Sequence, residues 1–186
     1  MIINIRGTSG SGKTTLVRKI LELYGSKTAY KQEGRKQPIG YVYRRNGEGR
    51  SLAVIGHYET ACGGCDTISK MEQIFELVRQ SHAAGHDVLF EGLLISADVN
   101  RTAALHTDGL PLLVVALDVP LQTCLDSINI RRRVKNPDAP DVPSKNTESK
   151  HKGVKMSMKR LEADGVNGVT LDRDGAFERI KQELGL

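Results

Sequence analysis

Residues Gly7 to Thr14 read G-T-S-G-S-G-K-T, fitting the pattern G-x-x-x-x-G-K-[ST] at every fixed position. An apolar run, Met1 to Arg6, precedes this stretch. After it come Leu16, Ile20 and Leu23 at helical spacing. A strand, a glycine-rich turn and a helix start make an anion site, because backbone N–H groups and the helix dipole both point at the bound group. Gly7, Gly10 and Gly12 give the backbone freedom and closeness. The Lys13 ammonium is expected to reach the β- and γ-phosphates of ATP, and the Thr14 hydroxyl to ligate Mg²⁺. The nucleotide site is therefore expected to comprise Gly7, Thr8, Ser9, Gly10, Ser11, Gly12, Lys13, Thr14 and Thr15. This Walker A pattern implies binding of a nucleoside triphosphate. It leaves open whether water or a substrate receives the phosphate.

Acids and arginines further along supply the remaining chemistry. Glu91 ends the buried run Asp87-Val-Leu-Phe-Glu91. An acid at the end of a strand neighbouring a phosphate loop either holds Mg²⁺ or accepts a proton from an attacking hydroxyl, and Glu91 suits both; a solvent-facing strand-end acid is the plainer alternative. Arg131, Arg132 and Arg133 follow Ile130 near the end of a predicted helix. Arginines there could close over a transferring phosphoryl group, with Arg131 and Arg132 the candidates, or merely complement the helix dipole. Consecutive helical residues fan by about 100° each, so the three cannot share one direction.

The segment Gly56 to Ile68 contains Cys62-x-x-Cys65, His57, Gly63-Gly64 and Asp66. A closed zinc site needs four ligands, and no second cysteine pair exists; Cys124 lies far along the chain. A loop that delivers Asp66 to a substrate is the better reading, with Asp66 as a helix cap the alternative.

Composition and periodicity frame these residues. The chain has 186 residues, 39% hydrophobic and 26% charged, with a net charge of +5. That suits a single domain over 1–186, with no membrane-spanning stretch, no signal peptide and a cytoplasmic location. The positive balance leaves nucleic acid open as a partner. Strands and helices alternate, predicting an α/β fold with a mostly parallel sheet flanked by helices. Asn46-Gly47-Glu48-Gly49 predicts a β-hairpin inserted between Gly40–Arg45 and Ser51–Ile55. Ser69 and Glu72 read as a capping box for a helix to Ala84, and a short helix is expected over Asp98–His106. Leu121–Val134 reads as a helix, and Lys135–Lys150, with Pro137, Pro140 and Pro143, as a mobile loop. Together they are expected to form a helical arginine lid over approximately 121–160, resembling that of P-loop enzymes of the nucleoside- and nucleotide-kinase type.

The strings Gly7 to Thr14, Gly56-His-Tyr-Glu-Thr-Ala-Cys-Gly-Gly-Cys-Asp-Thr67 and Val88-Leu-Phe-Glu-Gly-Leu-Leu94 together resemble small P-loop kinases of tailed bacteriophages. Among these the chain resembles the 5-hydroxymethyluridine DNA kinases. The resemblance implies phosphorylation of the 5-hydroxymethyl group of a modified uracil already in DNA, a step toward thymidine hypermodification. DNA containing 5-hydroxymethyluracil would then be the partner. A kinase of a free deoxynucleoside or its monophosphate shares the same motifs, and a non-kinase NTPase module is a third reading. Basic residues available for DNA are Lys31, Arg35 and Lys36, the hairpin's Arg44, Arg45 and Arg50, and Lys145, Lys150, Lys152 and Lys155. Tyr41, Tyr43 and Tyr58 could stack a base or pack against a helix.

Overall fold

In the computed structural model, which describes residues 1–60 and 63–186, a seven-stranded sheet carries helices on both faces. The elements are β1 (Ile2–Arg6), α1 (Lys13–Leu21), β2 (Lys27–Tyr30), β3 (Gly40–Tyr43), β4 (Leu52–Ile55), α2 (Met71–Ala83), β5 (Asp87–Glu91), α3 (Asn100–Thr107), β6 (Leu112–Leu117), α4 (Leu121–Lys135), α5 (Ser144–Ala163), β7 (Gly168–Leu171) and α6 (Arg173–Leu184). Single 3₁₀ turns lie at Cys65–Thr67 and Ile95–Ala97. No helix among the described residues is long and apolar enough to cross a membrane.

The strand order is β2-β3-β4-β5-β1-β6-β7. β4, β5, β1, β6 and β7 run parallel, whereas β3 is antiparallel to both its neighbours. β1, β5 and β6 are buried along their whole length because helices cover both faces, which explains their near-continuous apolar sequence. The strand period of two divides them between two cores. Ile3, Ile5, Leu89, Leu113 and Val115 pack with Leu16, Val17 and Ile20 of α1 and Ile180 of α6. Ile2, Val88, Phe90, Leu112 and Val114 pack with Ile74 and Phe75 of α2, Leu105 of α3 and Leu161 of α5. Each such side chain contributes about 1.5–3 kcal/mol on burial.

Three elements differ from the sequence reading. α2 starts at Met71 with Lys70 at its cap, and no side chain caps it; Glu72 pairs instead with Arg101. α3 starts after Asp98, whose carboxylate accepts the Arg101 N–H at 2.9 Å. The expected mobile loop shrinks to residues 136–143, because the prolines end at Pro143 and α5 begins at once with Ser144. The polar residues 144–150 are the solvated side of a helix, anchored by Thr147, Val154, Ser157 and Leu161 turned inward.

The sheet direction sorts the basic residues. The phosphate-loop segment follows β1, and Glu91 ends β5, so both sit at the carboxyl ends of the parallel strands. The hairpin turn precedes β4, which pairs Leu52 with Asp87 at the start of β5. Arg44, Arg45 and Arg50 therefore lie at the opposite end of the sheet. Arg45 donates to Leu184 O at 3.0 Å, at the far end of α6, and Arg50 is 3.7 Å from Asp87. The hairpin arginines are thereby separated from the phosphate loop and Glu91 at the carboxyl ends of the strands. Lys31, Arg35 and Lys36 leave β2 at the Glu91 end, where Arg35 donates to Thr67 O at 2.7 Å.

Candidate active site

Residues 7–15 wrap the start of α1. Gly10 and Gly12 adopt φ of 79° and 98°, a left-handed region open to glycine. A Cβ on Gly10 would fall 2.2 Å from Cys124 O, so α4 packs directly on the loop. Lys13 is buried, and its ammonium donates to Gly7 O at 2.7 Å and Thr8 O at 3.2 Å. Burial lowers its pKa, against the opposing pull of Glu91 and Asp66. Above the loop opens a cleft of about 470 Å³. Thr8, Ser9, Gly10, Gly12, Lys13, Thr14 and Thr15 line it; Gly7 and Ser11 stand behind, the Ser11 hydroxyl turned against Gly7.

Glu91 forms the cleft floor at 1% exposure. The Thr14 hydroxyl donates to Glu91 Oε1 at 2.9 Å. Burial pushes the Glu91 pKa up, with Lys13 and the Thr14 bond opposing. The solvent-facing alternative for Glu91 is thus excluded. Asp66 stands at the cleft mouth, both its oxygens 2.9 Å from the Leu93 N–H. It braces the turn after β5 and does not cap α2.

The 3₁₀ turn Cys65–Thr67 brings Asp66 there. It follows directly on the bridge between His57 and Gly64, with the Gly64 N–H donating to His57 O at 2.8 Å. Gly64 has φ of 76°, and a Cβ there would fall 2.5 Å from Glu91 Oε1. Gly56 and Gly64 touch so closely that a Cβ on Gly56 would lie 2.2 Å from the Gly64 backbone. His57 is buried, with Nδ1 3.0 Å from Glu59. Cys62 lies outside the described residues. Cys65 is buried and donates to Ile55 O at 3.5 Å, and among the described residues no group of three or more His, Cys, Asp or Glu could hold a metal.

Among the lid arginines, Arg131 lines the cleft, together with Ser127 one turn earlier. Arg132 is exposed and does not line it, and Arg133 pairs with Asp141. Two arginines on the cleft wall were missed in the sequence. Arg18 lies one turn beyond Thr14, a spacing that could have found it. It lines the cleft and donates to Tyr58 O from Nε at 3.0 Å and from Nη2 at 2.9 Å, tying α1 to the segment after β4. Arg173, the first residue of α6, donates to Ser11 O at 2.9 Å; its signal was its place just after β7. The tyrosines pack: Tyr58 lies in the core, and the buried Tyr41 bonds Glu59 through its hydroxyl. Tyr43 is half-buried against the same core, so none offers a free face for a base.

A mainly parallel sheet, a phosphate loop backed by a buried carboxylate, and a lid helix presenting an arginine define a P-loop kinase of the nucleoside-kinase type. The deoxyadenosine kinase of M. mycoides shares this fold, with a TM-score of 0.51 at 16% identity over 100% of this chain and 99% of that one. The chain matches no protein-family model. It is 57% identical over 183 residues to the 5-hmdU DNA kinase of Pseudomonas phage PaMx11, covering 98% of this chain and 96% of that protein. It is 27% identical over 194 residues to the 5-hmdU DNA kinase of Delftia phage PhiW-14, covering 96% of this chain and 70% of that one. The chain belongs to the 5-hmdU DNA kinase family.

Proposed function

We propose that this chain transfers the γ-phosphoryl group of ATP to the 5-hydroxymethyl group of 5-hydroxymethyluracil in phage DNA, within the host cytoplasm. The observation that carries this reading is the 57% identity to a 5-hmdU DNA kinase over nearly the whole chain. The cleft suits the chemistry. Residues 8–15 cradle the triphosphate on one wall, while Gly63, Asp66 and Leu93 leave room for the acceptor on the other.

The acceptor hydroxyl oxygen forms a bond to the γ-phosphorus as the bond from that phosphorus to the β-bridging oxygen breaks, releasing ADP. Glu91 takes the hydroxyl proton, and its burial raises its affinity for one, which favours general-base action. Asp66 positions the turn beside it. Lys13 and Arg131 supply positive charge where the transition state spreads negative charge. The Thr14 hydroxyl and the Glu91 carboxylate are hard oxygen donors side by side, a fit for Mg²⁺, which characteristically takes one or two protein oxygens plus phosphates. That ion would neutralise charge on the β- and γ-phosphates.

The test compares transfer of labelled γ-phosphate from ATP to hydroxymethyluracil DNA and to free hydroxymethyl-dUMP. DNA should be the better acceptor. Labelling of the free nucleotide with none in DNA would overturn the assignment in favour of a mononucleotide kinase.

A further inference from the structure

Glu91 is 1% exposed, lines the cleft and lies against Gly64, where a Cβ would fall 2.5 Å from Glu91 Oε1. A base stacked in a duplex keeps its 5-substituent in the major groove, flanked by its neighbours and the backbone, and cannot be brought to that carboxylate. On the reading proposed above, the nucleotide must leave the stack, which costs a few kcal/mol and opens a gap. Proteins that open such gaps frequently fill them with an apolar side chain.

Four large apolar side chains are exposed among the described residues, Leu94, Ile130, Val134 and Met156, and Leu94 is the one on the turn after β5, close to Glu91 in sequence. Leu94 is 67% exposed, while Leu93 before it lines the cleft and Ile95 after it is buried at 1%. A single exposed leucine is ordinary on a protein surface. This one differs in its mounting. The Leu93 N–H is held by both oxygens of Asp66. Two residues on, Ser96 O accepts from Ser157 of α5 at 2.8 Å and from the buried Arg6 at 3.4 Å, while Ser96 Oγ accepts the Gly7 N–H at 3.2 Å. Arg6 also grips Asp98 O at 2.6 Å and Thr102 at 2.7 Å. The turn carrying Leu94 is thereby fixed to Gly7 of the phosphate loop, to the 3₁₀ turn of Asp66 and to α5 at once. Exposed basic residues at the same end of the sheet, Lys31, Lys36, Lys145, Lys150 and Lys152, suit the phosphates of a duplex.

We propose that Leu94 is a wedge: it enters the base stack of double-stranded DNA as the hydroxymethyluracil nucleotide swings into the cleft. It acts on the reacting group only through the position of the nucleotide.

The test uses the full chain with two oligonucleotides of one sequence, single-stranded and duplex, each holding one hydroxymethyluracil. Leu94→Ala should lower kcat/KM on the duplex by roughly 10-fold or more, matching loss of a contact that offsets unstacking. It should leave the single strand within about 2-fold, since that base needs no extrusion. Leu94→Phe should restore duplex activity. A fluorescent adenine analogue beside the target should brighten on binding wild-type enzyme and stay quenched with Leu94→Ala. Equal loss on both substrates, or no loss on either, would overturn the wedge while leaving the kinase assignment standing. Failure of wild-type enzyme to label either oligonucleotide would instead remove the DNA reading and the wedge with it.

Discussion

Thr14 and Glu91, 77 positions apart in sequence, meet through a 2.9 Å hydrogen bond from the threonine hydroxyl to Glu91 Oε1. The bond joins the first turn of α1 to the end of β5 because β1 and β5 pair in parallel, Ile5 beside Glu91. It places a phosphate-side hydroxyl and a buried carboxylate in one polar cluster with Lys13.

Glu91→Gln should lower kcat by roughly 10²–10⁴-fold while ATP binding is largely retained, because the carboxylate charge that accepts the proton or faces Mg²⁺ is removed. The wild-type pH profile adds a second check. The base works when ionised, and burial raises its pKa above the ordinary 4.5. The acid limb of kcat/KM, which reports the free enzyme, should therefore lie above pH 4.5, with activity rising through it, and should vanish from the residual activity of the variant. Wild-type kcat in Glu91→Gln would move the role to Asp66.

Arg131→Ala and Arg132→Ala should differ sharply. Arg131 lines the cleft and Arg132 faces solvent. Loss of one donor to the transition state costs about 10²–10³-fold in kcat. That loss is expected for Arg131, with Arg132 within about 3-fold of wild type, as for a surface change. Steady-state kinetics at saturating ATP reads both, and equal losses would refute the assignment of Arg131 alone.

Gly64→Ala should impair both stability and turnover. Gly64 has φ of 76° and ψ of −159°, a region essentially reserved for glycine, and a residue with a Cβ there costs on the order of 1–3 kcal/mol. The new methyl would also press on Glu91 Oε1 from 2.5 Å. Thermal unfolding should show a lowered Tm, and kcat should fall with the displaced carboxylate. A variant with lowered Tm but unchanged kcat would show that Glu91 tolerates displacement.

Charge reversal at Lys145, Lys150 and Lys152 should raise KM for DNA and spare KM for ATP. Each lost phosphate contact should also reduce the salt slope of DNA binding by about 0.9. Arg44→Glu, at the other end of the sheet, should change neither. Binding measured across a salt series distinguishes the two ends, and an equal effect from Arg44 would place DNA elsewhere on the molecule.

Much of this was legible in the chain itself. The G-T-S-G-S-G-K-T string announces its own backbone, because glycines, the strand before and the helix after are all local requirements of one turn. The strands β1, β5 and β6 were legible as unbroken apolar runs, since burial on both faces removes polar positions. Residues 144–150 misled because a solvated helix face and a loop share a polar composition, and only the inward set of Thr147 and Val154 tells them apart.

What the tertiary structure alone decided was direction. Three consecutive arginines are equivalent in sequence, and the packing of α4 on Gly10 selects Arg131 for the cleft. Asp66 could have capped a helix until the return of β5 brought the Leu93 N–H within 2.9 Å. The arginines of the hairpin add to the net charge as the lysines of α5 do, yet the strand order sends them to the far end of the sheet. Local sequence fixes which groups a segment carries. Where those groups point depends on pairings between residues distant in the chain, and no single segment encodes them.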